Sequence, residues 1–349
     1  MRHTLIRLMV VALLALGTGV IAACGDDEAD SGGGGTTTTK TEKKIKVAMV
    51  TDIGGLNDRG FNALAYKGLQ QAKAELGADI RVVTSKSNAD YVPNLSSLAR
   101  QKYDLVVAVG FLMGDATAKV AKSFPDTNFA IVDFPYAALK GKPANTHGLL
   151  FKEQEAGYLA GTMAGLYVKE KGGEQVVSSV GGLKVPAVDA YIAGYEAGAK
   201  KANPEVKTIF AYSQDFVDQA KCKEVALNQI SEGSQVVFAV AGQCGLGALD
   251  AAKEKSVQGI GVDADQAYIG PQVMTSALKK VDVGVFETAK AVQEGAFKPG
   301  TDTVFDIKSG AVGLGKVSAA GQPFEADVKK IQDQIAAGEI TDIPNEVGK

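Results

Sequence analysis

Short apolar segments rich in β-branched residues alternate with helix-patterned segments through most of this chain. IKVAMVT (45–51) predicts a buried strand, and 58–76, with apolar residues at three- and four-residue spacings before Gly77, predicts a helix. The predicted strands are 45–51, 79–85, 104–110, 128–134 and 147–151, then 175–182, 206–213, 235–242 and 257–265. Alternating strand–helix units of this length form parallel sheets that are covered by helices on both faces. The sequence therefore predicts an α/β protein with two doubly wound parallel-sheet lobes.

The two rounds of the pattern also predict how the chain divides. The expected parts are a signal peptide (1–23), a disordered polar tether (24–43), an N-terminal lobe (44–150 plus about 281–303) and a C-terminal lobe (151–280 plus about 304–349). Three segments are expected to cross between the lobes, near 147–153, 264–280 and 300–315. Beyond a helix near 283–295, the elements have weaker patterns. We expect the lobes to hinge around a ligand.

The first 24 residues predict export and a lipid anchor. Arg2 and Arg7 precede an apolar run, and Cys24 directly follows Ile-Ala-Ala. This arrangement resembles the lipobox of bacterial lipoprotein signal peptides, in which the cysteine becomes the acylated first residue. The alternatives are an ordinary secretory signal or a short membrane anchor. The expected location is the extracytoplasmic face of the cell membrane.

Composition excludes several classes of function. The chain has 37 basic and 40 acidic residues, a net charge of −3, which does not provide the basic footprint of a nucleic-acid-binding protein. After Cys24 the only histidine is His147, which leaves no multi-histidine metal site and little scope for histidine acid–base chemistry. We therefore expect no metal, no cofactor and no catalysis.

Ligands of doubly wound folds bind beyond the carboxyl ends of the strands. The residues at those ends are Asp52, Gly110, Asp133, Gly181, Asp215, Phe216, Gly242 and Asp263. The most distinctive segment is TDIGGLNDRGFN (51–62), which matches neither GxGxxG nor a P-loop. Its carboxylates would repel an anion. They suit a neutral ligand that donates hydrogen bonds.

The chain resembles the basic membrane protein family of bacterial lipoproteins, also called the purine nucleoside receptor A-like family. The similar motifs are TDIGGLNDRGFN, EQEAGYLAG (153–161), GGLKVPAVDAYIAGYEAG (181–198), AGQCGLG (241–247), GVDADQ (261–266) and TSALKKVD (275–282). The resemblance implies a type I periplasmic-binding-protein fold that supplies a nucleoside to an ABC permease. Gly60 departs from the family pattern, in which serine is commoner, and so do Cys222 and Cys244.

The resemblance also implies roles for particular residues. Phe61 and Phe216 would sandwich the base, and a base stacked on an aromatic ring gains about 1–3 kcal/mol. The base edge would meet Asp52, Asn57 and Asp133, and the ribose would meet Asp263, Lys279 and the backbone at Gly242. Asp265 is the alternative to Asp263. Each of these residues also has a purely structural explanation as a core, capping or surface residue.

Two alternatives to a nucleoside importer subunit remain. The same fold can bind a sugar or another small polar ligand, including as a sensor. A nucleosidase-type hydrolase is disfavoured, because the sequence shows no G-x-S-x-G elbow and no metal-ligand cluster.

Cys222 and Cys244 are predicted to form a disulfide, the alternative being two small, buried, reduced side chains. Cys222 lies near the start of one predicted helix and Cys244 follows the next strand, so both fall at the carboxyl edge of one sheet. An exported chain meets an oxidising compartment, where such cysteines usually pair. On the chain-entropy estimate, the bond would stabilise the second lobe by roughly 3 kcal/mol.

Overall fold

The computed structural model describes residues 44–348, and the predicted signal peptide, Cys24 and the tether lie outside that range. Two six-stranded sheets organise this part of the chain. Valine, isoleucine and leucine fill the central strands, which are buried on both faces as parallel strands require. The prediction of an α/β fold with two doubly wound lobes is confirmed.

The first sheet, which defines the first lobe, has the order β11-β5-β4-β3-β1-β2, with every pair parallel. Its strands are β1 (Lys46–Val50), β2 (Asp79–Val83), β3 (Leu105–Val109), β4 (Asn128–Val132), β5 (Thr146–Phe151) and β11 (Asp302–Phe305).

The second sheet, which defines the second lobe, repeats this plan with the order β12-β10-β9-β8-β6-β7. Its strands are β6 (Val176–Gly181), β7 (Lys207–Tyr212), β8 (Ser234–Val240), β9 (Gln258–Asp263), β10 (Val273–Lys279) and β12 (Val312–Leu314). The edge strand β12 runs antiparallel to β10, which is the exception to the parallel arrangement.

Helices cover both sheets. They are α1 (Phe61–Leu76), α2 (Tyr91–Arg100), α3 (Gly114–Ser123), α4 (Glu153–Lys171), α5 (Pro186–Ala202), α6 (Gln219–Ser231), α7 (Gly245–Glu254), α8 (Val281–Gln293) and α9 (Glu325–Ala337). Within residues 44–348, none of these helices is both long and apolar enough to span a bilayer.

The chain passes between the two sheets three times. It leaves the first sheet after β5 and enters α4 at Glu153, and it leaves the second sheet after Lys279 and enters α8. The third passage runs from the end of β11 to β12. Lys152 and Glu155 tie the first passage to the third, because Lys152 pairs with Asp306 at 3.5 Å and Glu155 accepts a 2.8 Å bond from the Ile307 amide.

Two features differ from the sequence prediction. The helix predicted from residue 58 begins at Phe61, because the Asp58 side chain caps it rather than joining it. Helix α9 was not predicted, although Val328 and Ile335 form a buried stripe on it. This helix packs against α4 and extends the second lobe.

Helices α4 and α5 lie backbone against backbone. Gly157, Gly161 and Gly165 recur every four residues on α4, and a Cβ on any of them would meet a backbone carbonyl of α5. Gly194 and Gly198 of α5 face α4 in the same way. Only glycine allows this approach, so the spacing of the two helices is set by five residues that have no side chain.

Candidate functional site

A cavity lies between the carboxyl edges of the two sheets and holds about 690 Å³ of empty space, including solvent at its mouth. Its lining is Asp52, Ile53, Asp58, Phe61, Asn62, Gly110, Phe111, Leu112 and Asp133 from the first lobe, and Val185, Ala187, Val188, Tyr191, Phe216, Val240, Gly242, Gln243, Val262, Asp263 and Lys279 from the second.

Of the eight residues given a ligand contact by the resemblance, the cavity brings together seven, and Asn57 is the exception. Asn57 is exposed and does not line the cavity, because the left-handed turn at Gly54 and Gly55 carries it to the outside. Asp58 and Asn62 occupy the cavity wall in its place. Asn57 is therefore left out of the site described below.

Asp58 and Asn62 hold the strand–turn–helix segment in shape. The Asp58 carboxylate accepts bonds from the amides of Gly60, Asn62 and Ala63 at 2.6–3.1 Å, which caps α1. Burial raises the pKa of Asp58, and these bonds oppose the increase. Asn62 Oδ1 accepts a 3.1 Å bond from the Asp52 amide. These contacts fix Asp52 at the end of β1.

One oxygen of the Asp52 carboxylate is hydrogen-bonded within the protein, and the other lies close to the cavity. Oδ1 accepts bonds from the buried Tyr91 hydroxyl and from the Ile53 amide. Oδ2 faces Gly110, where an added Cβ would lie only 2.5 Å away, so glycine makes room for it. Burial raises the pKa of Asp52 to about 6, although the bonds from Tyr91 and Ile53 oppose this. When ionised, the group acts only as an acceptor.

Lys279 stands at the centre of the buried charge in the cavity. Its Nζ lies 2.6 Å from Asp133 Oδ2 and 2.7 Å from Glu153 Oε1, and its side chain is only 2% exposed. The ammonium also lies 5.1 Å from the centroid of the Phe61 ring. Burial lowers the pKa of Lys279, but the facing carboxylates of Asp133, Glu153 and Asp263 raise it overall. Lys279 is therefore a neutralised cation.

Asp133 and Asp263 occupy equivalent places in the two lobes. Asp133 follows β4 and Asp263 ends β9, the third strand in the order of each sheet. Both have left-handed backbones, with φ of 66° and 61°, a conformation that is costly for non-glycine residues and is concentrated at functional sites. Asp133 Oδ1 is buried and has no hydrogen-bond partner within residues 44–348.

The two candidates for the ribose carboxylate differ sharply in their surroundings. Asp263 is buried, and burial raises its pKa to about 7, while Lys279 lowers it in part. Tyr191 donates a 3.4 Å bond to Asp263 Oδ1. Asp265 is exposed and its oxygens accept bonds from the amides of Ala267 and Lys316. Between the two, Asp263 is the one that lines the cavity.

Aromatic rings enter the cavity from both lobes. Phe61 comes from the first turn of α1, and Phe216 from the loop after β7. The Phe216 ring lies over Gly182, where an added Cβ would be 2.3 Å from ring carbon Cε1. Cys222 and Cys244 are bonded to each other, with Cα atoms 5.5 Å apart, and the Cys244 amide donates a 3.0 Å bond to the Phe216 carbonyl.

Sequence reasoning missed several groups at this site besides Asn62. Phe111 and Tyr191 line the cavity, and Glu153 pairs with Lys279 from behind it. Phe111 directly follows Gly110, so its position after a predicted strand was a usable signal. Glu153 lies on α4 and Tyr191 on α5. They meet Lys279 and Asp263, respectively, only through tertiary packing.

The two lobes also touch across the mouth of the cavity. Gln266, which is 2% exposed, donates a 3.2 Å bond from Nε2 to the Arg59 carbonyl. The Arg59 guanidinium lies 6.0 Å from the centroid of the exposed Tyr268 ring. These contacts join a loop of each lobe.

Known proteins similar to this chain share the same architecture. The family described as "ABC transporter substrate-binding protein PnrA-like" matches residues 45–343. A solute-binding protein of an ABC transporter system from Aeropyrum pernix is 27% identical, with a TM-score of 0.76 over 87% of this chain and 94% of its own.

Two relatives carry informative names. The "ABC transporter nucleoside-binding protein BmpA" of Lactococcus lactis is 32% identical over 96% of this chain and 98% of its own length. A protein of Pyrococcus abyssi named as an uncharacterized lipoprotein is 35% identical over 84% of this chain and 75% of its own. The family is one of substrate-binding proteins, not enzymes. This chain belongs to the PnrA-like family of ABC transporter substrate-binding proteins.

Proposed function

We propose that this protein binds a nucleoside, of the purine class, between its two lobes and presents it to an ABC permease. The observation that carries the proposal is that an aromatic ring from each lobe, Phe61 and Phe216, lines one cavity together with several aspartate carboxyl groups. A base has two flat faces for such rings, and its edge carries N–H donors for the carboxylates. The name of the Lactococcus lactis relative supports the same ligand class.

Asp52 and Asp133 would meet the base. Each lies at a strand end in the first lobe; Asp52 is buried and Asp133 is half-buried. Asp133 Oδ1 is a buried acceptor without a partner in the described part of the chain. A buried acceptor of this kind is costly unless something donates to it. Ring N–H or exocyclic amine groups of a purine can supply that donor.

Asp263 and Lys279 would meet the ribose. A carboxylate can accept both hydroxyls of a ribose, and Asp263 is buried on the cavity wall. The backbone of Gly242, with φ of 54°, allows the chain to pass close to the sugar. Among the cavity-lining residues Lys279 is the one cation, and two carboxylates already pair with it. A nucleoside, which has no phosphate, fits this charge better than a nucleotide.

The proposal includes a lipid anchor at Cys24. Cys24 follows a basic start and an apolar run in the sequence, and the Pyrococcus abyssi relative is named a lipoprotein. Acylation would hold the mature protein on the extracytoplasmic face of the cell membrane, beside its permease. Mass spectrometry of the membrane-extracted protein tests this: a mature chain that does not start at an acylated Cys24 refutes it.

Titration calorimetry on residues 40–349 tests the ligand. We expect adenosine, guanosine or inosine to bind, and ribose, glucose and adenosine 5′-monophosphate to bind much more weakly. Phe61→Ala and Phe216→Ala should each weaken nucleoside binding by about 1–3 kcal/mol. Phe210→Ala is the matched control, because this ring is 41% exposed and does not line the cavity. Sugar binding without a response to any nucleoside would contradict the proposal.

A further inference from the structure

Glu153 is buried beside the cavity without lining it. Its Oε1 lies 2.7 Å from Lys279 Nζ, on an ammonium that Asp133 Oδ2 already approaches at 2.6 Å. Burial raises the pKa of Glu153 to about 7, and Lys279 opposes this. One aspartate would suffice to pair with Lys279, and burying a second carboxylate has a desolvation cost. The base and ribose contacts proposed above give Glu153 no role.

The three charged groups link the cavity to the passages between the lobes. Glu153 is the first residue of α4, directly after the first passage, and Lys279 ends β10 at the start of the second. Asp133 belongs to the first lobe and lines the cavity; its Oδ2 pairs with Lys279, and its Oδ1 is buried and has no partner within residues 44–348. A donor bound at Asp133 Oδ1 is therefore connected, through Lys279, to both passages.

We propose that Glu153 is a positioning residue for ligand binding: it holds Lys279 so that Asp133 presents its unpartnered oxygen to the cavity. With Glu153 in place, the Lys279 ammonium pairs with two carboxylates and contacts only one oxygen of Asp133. Without that charge, the ammonium would be free to bridge both oxygens of Asp133 or to move toward Asp263. Either change removes an acceptor from the ligand. This inference rests on the proposed nucleoside function.

The substitution that tests the proposal is Glu153→Gln, which keeps the length and one acceptor but removes the charge. We expect nucleoside affinity to fall about tenfold, equivalent to 1.4 kcal/mol. The probes are adenosine, guanosine, inosine and uridine, titrated by calorimetry. Circular dichroism and thermal melting of the ligand-free variant confirm the fold. If Glu153→Gln does not fold, Glu153→Met offers an apolar side chain of similar length and leaves Lys279 paired with Asp133.

Glu155→Gln is the matched control. Glu155 lies in the same turn of α4 and is also buried, but it contacts the Ile307 amide and Lys152 rather than Lys279. We expect Glu155→Gln to leave affinity within about twofold of wild type, since it shares no partner with the Lys279 cluster.

A double-mutant cycle separates positioning from a general structural effect. In an Asp133→Asn background, the proposal expects Glu153→Gln to change affinity less than twofold, because the oxygen it orients is already altered. A full tenfold loss in that background overturns the proposal, as does wild-type affinity in the single variant. If wild-type protein binds none of the four nucleosides, the proposed function fails and this inference with it.

Discussion

Gly161→Ala should destabilise the second lobe, because α4 and α5 have no space for a methyl group between them. A Cβ at this position would lie 1.9 Å from the Tyr195 carbonyl oxygen and 2.7 Å from the Tyr195 carbonyl carbon. Ordinary contacts of this type are no closer than about 3 Å, the scale of optimal non-bonded separation being about 3.5 Å. The helices must move apart by about 1 Å, and the obstacle is backbone, which cannot rotate away.

The expected loss of unfolding free energy in Gly161→Ala is the balance of two opposing effects. Forcing extra methyl groups into a packed interior costs about 1–3 kcal/mol, and a clash with backbone belongs at the top of that range or above it. Replacing glycine by alanine within a helix stabilises it by about 1 kcal/mol. We therefore expect the free energy of unfolding to fall by about 2 kcal/mol or more. Gly165→Ala, whose Cβ would lie 2.6 Å from the Ala199 oxygen, should cost less.

Urea unfolding followed by circular dichroism measures both variants against wild type. Ala74→Gly, at an exposed position of α1, calibrates the helix-propensity contribution separately, with an expected loss of about 1 kcal/mol. Equal or greater stability of Gly161→Ala would refute the reasoning. So would a larger loss from Gly165→Ala than from Gly161→Ala.

Two further predictions concern pH and release of the ligand. Burial raises the pKa of Asp263 from 3.8 to about 7, so between about pH 4 and 7 the native state keeps a proton that the unfolded chain has lost. Its contribution to stability is therefore lost as pH rises. We expect Asp263 alone to lower the free energy of unfolding by about 2–3 kcal/mol between pH 5 and pH 8, and the pH profile to be flatter in Asp263→Asn, which urea titrations at each pH measure. The same profile in both proteins would contradict this. Gln266→Glu keeps the acceptor for the Val262 amide but loses the donor to the Arg59 carbonyl, so stopped-flow measurements should show nucleoside release accelerated about fivefold or more. An unchanged release rate would mean that this bond does not hold the cleft closed.

The alternation of strands and helices was predictable because each buried parallel strand is a local run of apolar residues. IKVAMVT and its counterparts need no distant information to be recognised. Helix α9 was missed because its apolar stripe is short, and its burial depends on α4, far away in the sequence. The antiparallel direction of β12 also depends on a distant partner, β10.

Some cavity residues could likewise be predicted from local sequence, and others depend on contacts between distant segments. Asp52, Asp133 and Asp263 were predictable because a strand end is a local feature and parallel strands share one edge. The sequence could not distinguish Asn57 from its neighbour Asp58, because the turn before them has a left-handed backbone at Gly54 and Gly55 that a local pattern does not reveal. Glu153 could not be predicted, since it meets Lys279 only through the folding of two separate passages between the lobes.

Under the proposed function, each lobe would carry half of the binding site, because Asp133 and Asp263 occupy equivalent places in the two lobes. A ligand that meets an open cleft can bind only one half at first, and that contact alone is weak. The second half is tethered to the first through the three chain passages, so it is present at a high effective concentration and needs no second diffusional encounter. We expect the affinity of the whole protein to exceed by orders of magnitude that of either half, and the length of the passages to set that gain.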